Sequence, residues 1–85
     1  MLHVQSVKYY KDYKLQIQFN DGETHIIDFE KTIFSDTRQI VSDLKDINLF
    51  KSFSIKYHTI VWKNGLDFAP EFIKNCSIKL VQKSA

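Results

Sequence analysis

The side chains here that most readily do chemistry near neutral pH are His3, His25, His58 and Cys76. The three histidines lie far apart in sequence. None stands at the i, i+4 or close Cys/His spacing that brings several ligands to one metal ion. Cys76 is the only cysteine, with no activating motif around it, and a thiol in that setting reads as a small buried hydrophobe rather than a nucleophile. We therefore expect no metal, no cofactor and no catalytic residue, and place a small-molecule enzyme third among the functional readings.

Two stretches are richer. KYYKDYK, residues 8–14, interleaves Tyr9, Tyr10 and Tyr13 with Lys8, Lys11 and Lys14. Aromatic faces that stack unpaired bases, beside cations that neutralise phosphates, are the chemistry of single-stranded nucleic-acid binding. A sheet edge protected by lysines gives the same string. The edge reading is preferred and the nucleic-acid reading kept as the alternative.

WKNGLDFAPE, residues 62–71, gathers the only tryptophan, the only proline and one of two glycines. Asp67 and Glu71 are two carboxylates that would serve as acid and base only with a nucleophile or oxyanion site nearby, and the sequence supplies neither. The stretch reads instead as instructions for folding. Asn64 and Gly65 favour a tight turn with positive φ. Asp67 is acidic near a helix start, where a carboxylate suits free N–H groups. Pro70 and Glu71 open that helix, and Trp62 is a core anchor whose indole N–H needs a partner.

The elements that would position these residues follow from periodicity. In YKLQIQF, Tyr13, Leu15, Ile17 and Phe19 alternate with polar residues, the period of a half-buried strand. FNDGE predicts a three-residue hairpin loop with Gly22 at positive φ. That loop sets Ile17 opposite His25 and Leu15 opposite Ile27, with Ile26 and Asp28 facing away from the core. HVQSVKYY is an imperfect strand ahead of the hairpin, bulged or at an edge. The spacing of Ile40, Val41, Leu44, Ile47 and Phe50 predicts one helix from about residue 36 to about 46, with Asp36 and Gln39 as a capping box. SFSIKY and TIVW are short strands about a turn near His58, PEFIKN a short helix, and SIKLVQ a closing strand.

These elements give an α+β class: a small single domain over residues 1–85, mainly antiparallel β-hairpins with one central and one short C-terminal helix. Twelve Lys or Arg against ten Asp or Glu leave a net charge of +2, far from the concentrated field of a duplex-DNA binder. A hydrophobic fraction of 44% is a folding composition, not a disordered one. A chain of this size with one cysteine and no long apolar run is expected to be cytoplasmic, without a membrane segment.

FNDGETHIIDF and WKNGLDFAPE together resemble a bacterial family, domain of unknown function 2442. The resemblance runs from about residue 4 to about 74. It is carried by Phe19, Asp21, Gly22 and Asp28, then Leu44 and Phe50, then Trp62, Asn64, Gly65, Asp67, Pro70 and Glu71. It implies a small α+β domain with no established catalytic residues, whose members are often encoded beside another small protein in arrangements similar to toxin–antitoxin modules. The chain is lysine-rich and has no appended DNA-binding helices, which argues against autoregulation on DNA.

The expected function is protein interaction, as the antitoxin-like half of a two-protein module. The expected partner is another small protein or a second copy of the chain. Its surface would be a sheet edge, marked by Val7 and Tyr9 in one terminal strand and Lys79 in the other, or the corner at Asn64 and Asp67.

Overall fold

The alternation of YKLQIQF places Leu15, Ile17 and Phe19 out of contact with water, and the rest of the molecule is arranged around that face. In the computed structural model, which describes residues 1–83, three strands run consecutively antiparallel: β1 (Val4–Lys11), β2 (Lys14–Phe19) and β3 (Glu23–Asp28). Ile17 faces His25 and Leu15 faces Ile27, the register that the three-residue loop predicts. Gly22 has φ 89°, and its N–H donates to the Phe19 carbonyl at 3.1 Å. The chain's last strand, Ser77–Lys83, pairs antiparallel with β3 on the side away from β2.

Between β3 and that last strand lie four short helices and a separate two-stranded hairpin. The helices are α1 (Glu30–Ser35), α2 (Gln39–Ser42), α3 (Ile47–Phe50) and α4 (Pro70–Asn75). The hairpin is β4 (Ser54–Lys56) with β5 (Thr59–Val61), which makes the last strand β6, and the main sheet has the order β1-β2-β3-β6. This is the expected α+β class. Tyr57 and His58 form the turn between β4 and β5 at φ 54° and 67°. Positive φ at both central residues of a two-residue loop is the geometry that matches strand twist.

The single helix expected over residues 36–46 is not formed. α1 begins earlier, ends at Ser35, and is followed by extended backbone at Asp36 (ψ 131°), then α2, a 3₁₀ turn over Asp43–Lys45, and α3. The Asp36–Gln39 capping box is absent too. Asp36 instead accepts from the Arg38 backbone N–H at 2.9 Å and from its guanidinium at 2.7 Å, a local side-chain turn that competes with helix. The guanidinium holds the Asp36 carboxyl down at about 2. Gln39 donates to Asp43, and Asp46 provides the cap that is made, accepting from Asn48 N–H at 3.0 Å to start α3.

Broken into short pieces, the segment still delivers Val41, Leu44 and Phe50 to the core, while Ile40 turns outward. Phe29, Phe50, Trp62 and Phe68 then pack in edge-on, tilted and stacked pairs with ring centroids 5.6 to 6.1 Å apart. Ile26 faces away from this core, as the register requires, yet is only 4% exposed, because β3 is an inner strand flanked at that position by Gln16 and Lys79. Among the described residues, no helix is long and apolar enough to cross a membrane.

Candidate interaction surface

The densest polar cluster joins residues that no sequence spacing connects. His25 projects to the core side of β3, with Nδ1 2.6 Å from Ser77 Oγ and Nε2 2.8 Å from Glu23 Oε1. Lys74 of α4 reaches Glu23 at 2.9 Å and also hydrogen-bonds Asp21. The His25 and Lys74 contacts hold the Glu23 carboxyl below its usual range, and Lys74 does the same to Asp21.

An acid, a histidine and a serine in line have the composition of a nucleophilic relay, but the connections run the other way. In a hydrolytic triad the acid holds Nδ1 and the serine meets Nε2. Here Glu23 is also engaged by Lys74, and Ser77 sits in β6 opposite Ile27 on the core side. The cluster satisfies a buried histidine and bolts the β2–β3 turn, α4 and β6 together. Ser77 and Lys74 carried no signal in the sequence, because they meet partners 52 and 53 residues away.

His3 and His58, also remote in sequence, stack with ring centroids 4.1 Å apart and an interplanar angle of 15°. Stacked imidazoles do not aim their lone pairs at a common point. No group of three or more His, Cys, Asp or Glu able to hold a metal occurs among the described residues. The pair instead fastens the N-terminal end of β1 to the β4–β5 turn, where Val4 N–H donates to the His58 carbonyl at 2.9 Å. Cys76 is half-buried, and that burial pushes its thiol up, away from the reactive thiolate.

WKNGLDFAPE is a structural corner. Trp62 is 2% exposed and Gly65 has φ 90°. The Asn64 side chain donates to the Ile40 carbonyl at 2.9 Å and accepts from Leu66 N–H at 3.1 Å, which ties the turn to α2. Pro70 occupies the first turn of α4 with Glu71 beside it. The expected role of Asp67 at that helix start is corrected: Ala69 is the cap residue and no side chain caps α4. Asp67 is held instead in a β-bridge to Val61. Asp28 does the work expected of Asp67, accepting from Glu30 N–H at 2.9 Å at the start of α1.

The lysine–tyrosine segment does not present one surface. Tyr9 and Tyr13 turn to the core side, where each packs edge-on against Phe50, and their hydroxyls donate to the carbonyls of Asp12 and Lys45. Lys8 lies on the opposite face beside Gln16, and Lys14 is near Asp12 and Asp28 at 3.8 and 4.0 Å. Tyr10 alone of the three tyrosines is exposed, and Lys11 is exposed at the strand's end.

The two terminal strands are the two edges of the main sheet. They are not equivalent. Each is interrupted by two register shifts, but in β1 the Val4 N–H is taken by His58. Its Val7 is half-buried on the core side opposite Ile17. β6 is exposed from Ile78 to its end, with Ile78 59%, Leu80 51% and Val81 45% exposed. α4, immediately before it, adds Phe72 at 41%. A cleft of about 360 Å³ opens at the start of β6, lined by Asp28, Lys31, Thr32, Asn75 and Ile78 among others.

Compared with known proteins, the chain matches over residues 4–77 the model of a family described as Protein of unknown function (DUF2442). No curated protein and no solved structure matches it.

Proposed function

We propose, from the premise that this chain belongs to the family described as Protein of unknown function (DUF2442), that it is a non-enzymatic domain that binds another small protein. It would act as the antitoxin-like half of a two-protein module. The observation that carries this reading is the open β6 edge, along which Ile78, Leu80 and Val81 are each about half exposed. An edge strand leaves N–H and C=O groups unpaired, and an incoming strand satisfies them while covering the apolar side chains. A domain that works by occluding its partner needs no reactive group. The histidines, the cysteine and the WKNGLDFAPE carboxylates all have structural surroundings consistent with that.

The test is co-purification from the native host with wild-type protein and with an Ile78→Ser, Leu80→Ser variant. The expected result is a protein neighbour recovered in stoichiometric amount by wild type and lost with the variant, whose fold is checked by circular dichroism. Equal recovery by both would refute the role of the β6 edge.

A further inference from the structure

We infer that the occupant of the β6 edge is an extended strand of a different protein, with apolar side chains on one face and carboxylates on the other. This rests on the reading of β6 as the working surface, and deepens it by stating the chemistry of the partner.

The two faces of β6 differ. Leu80 pairs with His25 and so lies on the core side of the sheet, the side on which α4 packs Ile73 into the core. Lys79 pairs with Ile26 and lies on the other face, as does Gln82 opposite Thr24. Register shifts at Val81 and Ile78 interrupt the alternation of β6, but Lys79 and Leu80 between them lie on opposite faces, so a strand laid alongside would set one row of side chains next to Leu80 and the other next to Lys79.

The charge is one-signed. From Phe72 to Lys83 the sequence holds Lys74, Lys79 and Lys83 and no carboxylate. Lys74 is neutralised by Asp21 and Glu23, and Lys83 lies 3.8 Å from Glu23. Lys79 has no ion pair among the described residues. The row beside Lys79 therefore favours carboxylates.

The same charges oppose a second copy of this chain. A two-fold axis normal to the sheet returns each side chain to its own face, so antiparallel self-pairing must be centred on a residue. Centring on Lys79 sets lysine against lysine. Centring on Leu80 leaves the two Lys79 side chains diagonal on one face, about 7–8 Å apart. Both of these registers bring the two Lys79 side chains together, whereas an acidic strand meets opposite charge there.

The probes are two end-blocked heptapeptides, one alternating valine with glutamate and one alternating valine with lysine. They are titrated into the folded protein while its backbone amides are followed by NMR. The glutamate peptide is expected to shift the amides of Ile78–Lys83, and to bind at least about tenfold more tightly than the lysine peptide at low salt, with the difference shrinking as salt is added. Lys79→Glu, with unchanged amide dispersion elsewhere, should reverse that order. Equal binding of the two peptides, binding of neither, or self-association through β6 in light scattering would overturn the acidic partner while leaving the edge reading standing. Glutamate-peptide shifts confined to β1, together with a host partner retained by the Ile78→Ser, Leu80→Ser variant, would overturn the edge reading itself.

Discussion

The indole N–H of Trp62 donates to the main-chain carbonyl of Phe50 across 2.8 Å, inside a cluster of aromatic rings that excludes water. That one bond links the WKNGLDFAPE corner to the end of α3, and satisfies an acceptor at a helix terminus that would otherwise be buried alone. Removing the ring leaves a large cavity. Trp62→Ala should lower stability by about 3–5 kcal/mol. Trp62→Phe keeps most of the apolar volume but orphans the carbonyl, and should cost about 1–3 kcal/mol. Urea unfolding of both variants checks the ranking; equal losses would mean that the hydrogen bond contributes nothing.

Gly65 separates conformational from steric cost. Its φ is 90°, and a β-carbon added there would meet nothing within 4 Å. Gly65→Ala should therefore destabilise by about 1 kcal/mol through backbone strain alone. The D-alanine counterpart, made by chemical ligation, should be at least as stable as wild type. Thermal unfolding of the two proteins distinguishes them, and equal loss in both would show that crowding is the cause.

Tyr57 and His58 occupy positive φ without being glycine, asparagine or aspartate. Tyr57 is also 86% exposed, so its ring contributes little packing to offset the strain. Tyr57→Asn should raise stability by about 0.5–1 kcal/mol, since asparagine is favoured in this turn. His58→Gly relieves the same strain but removes the stack on His3, and should gain less. Melting temperatures of the two variants measure the difference.

The acid limb of the stability curve should depend on Lys74. Asp21 and Glu23 are held below their ordinary values of 3.8 and 4.5, Asp21 chiefly by Lys74 and Glu23 by His25 and Lys74. A depressed carboxylate contributes stability that is complete above its unfolded-state value and lost as pH falls through the folded one. Lys74→Met should therefore be less stable than wild type at neutral pH, and the gap should close from about pH 5 down to about pH 2 as both carboxylates protonate. Urea titrations across that range test it, and a gap constant with pH would assign the loss to packing.

Local grammar was legible in the sequence wherever its cause lies within a few residues. The alternation of Leu15, Ile17 and Phe19 set the buried face of β2. The three-residue loop with Gly22 set the register of β3, since a shift of one residue would have turned Ile27 out of the core. Asn64–Gly65 and Pro70 marked a turn and a helix start because positive φ and a missing N–H are properties of single residues. The terminal strands were legible as edges, since so small a sheet cannot close on itself.

Tertiary structure decided what depends on partners far along the chain. Periodicity marked Val41, Leu44 and Phe50 as core but could not reveal that Asp36 would rather fold back on Arg38 than cap a continuous helix. The distribution of Tyr9, Tyr13 and Lys8 over two faces depended on β1 lying against β2 with Phe50 beneath. The inequality of the two edges was likewise hidden. His58 reaches Val4 only because the β4–β5 turn packs against β1, while within the sheet β6 pairs with β3 alone. Burial and hydrogen bonding are paid in space rather than in sequence, so residues as distant as His25 and Ser77 become neighbours only when the chain has closed.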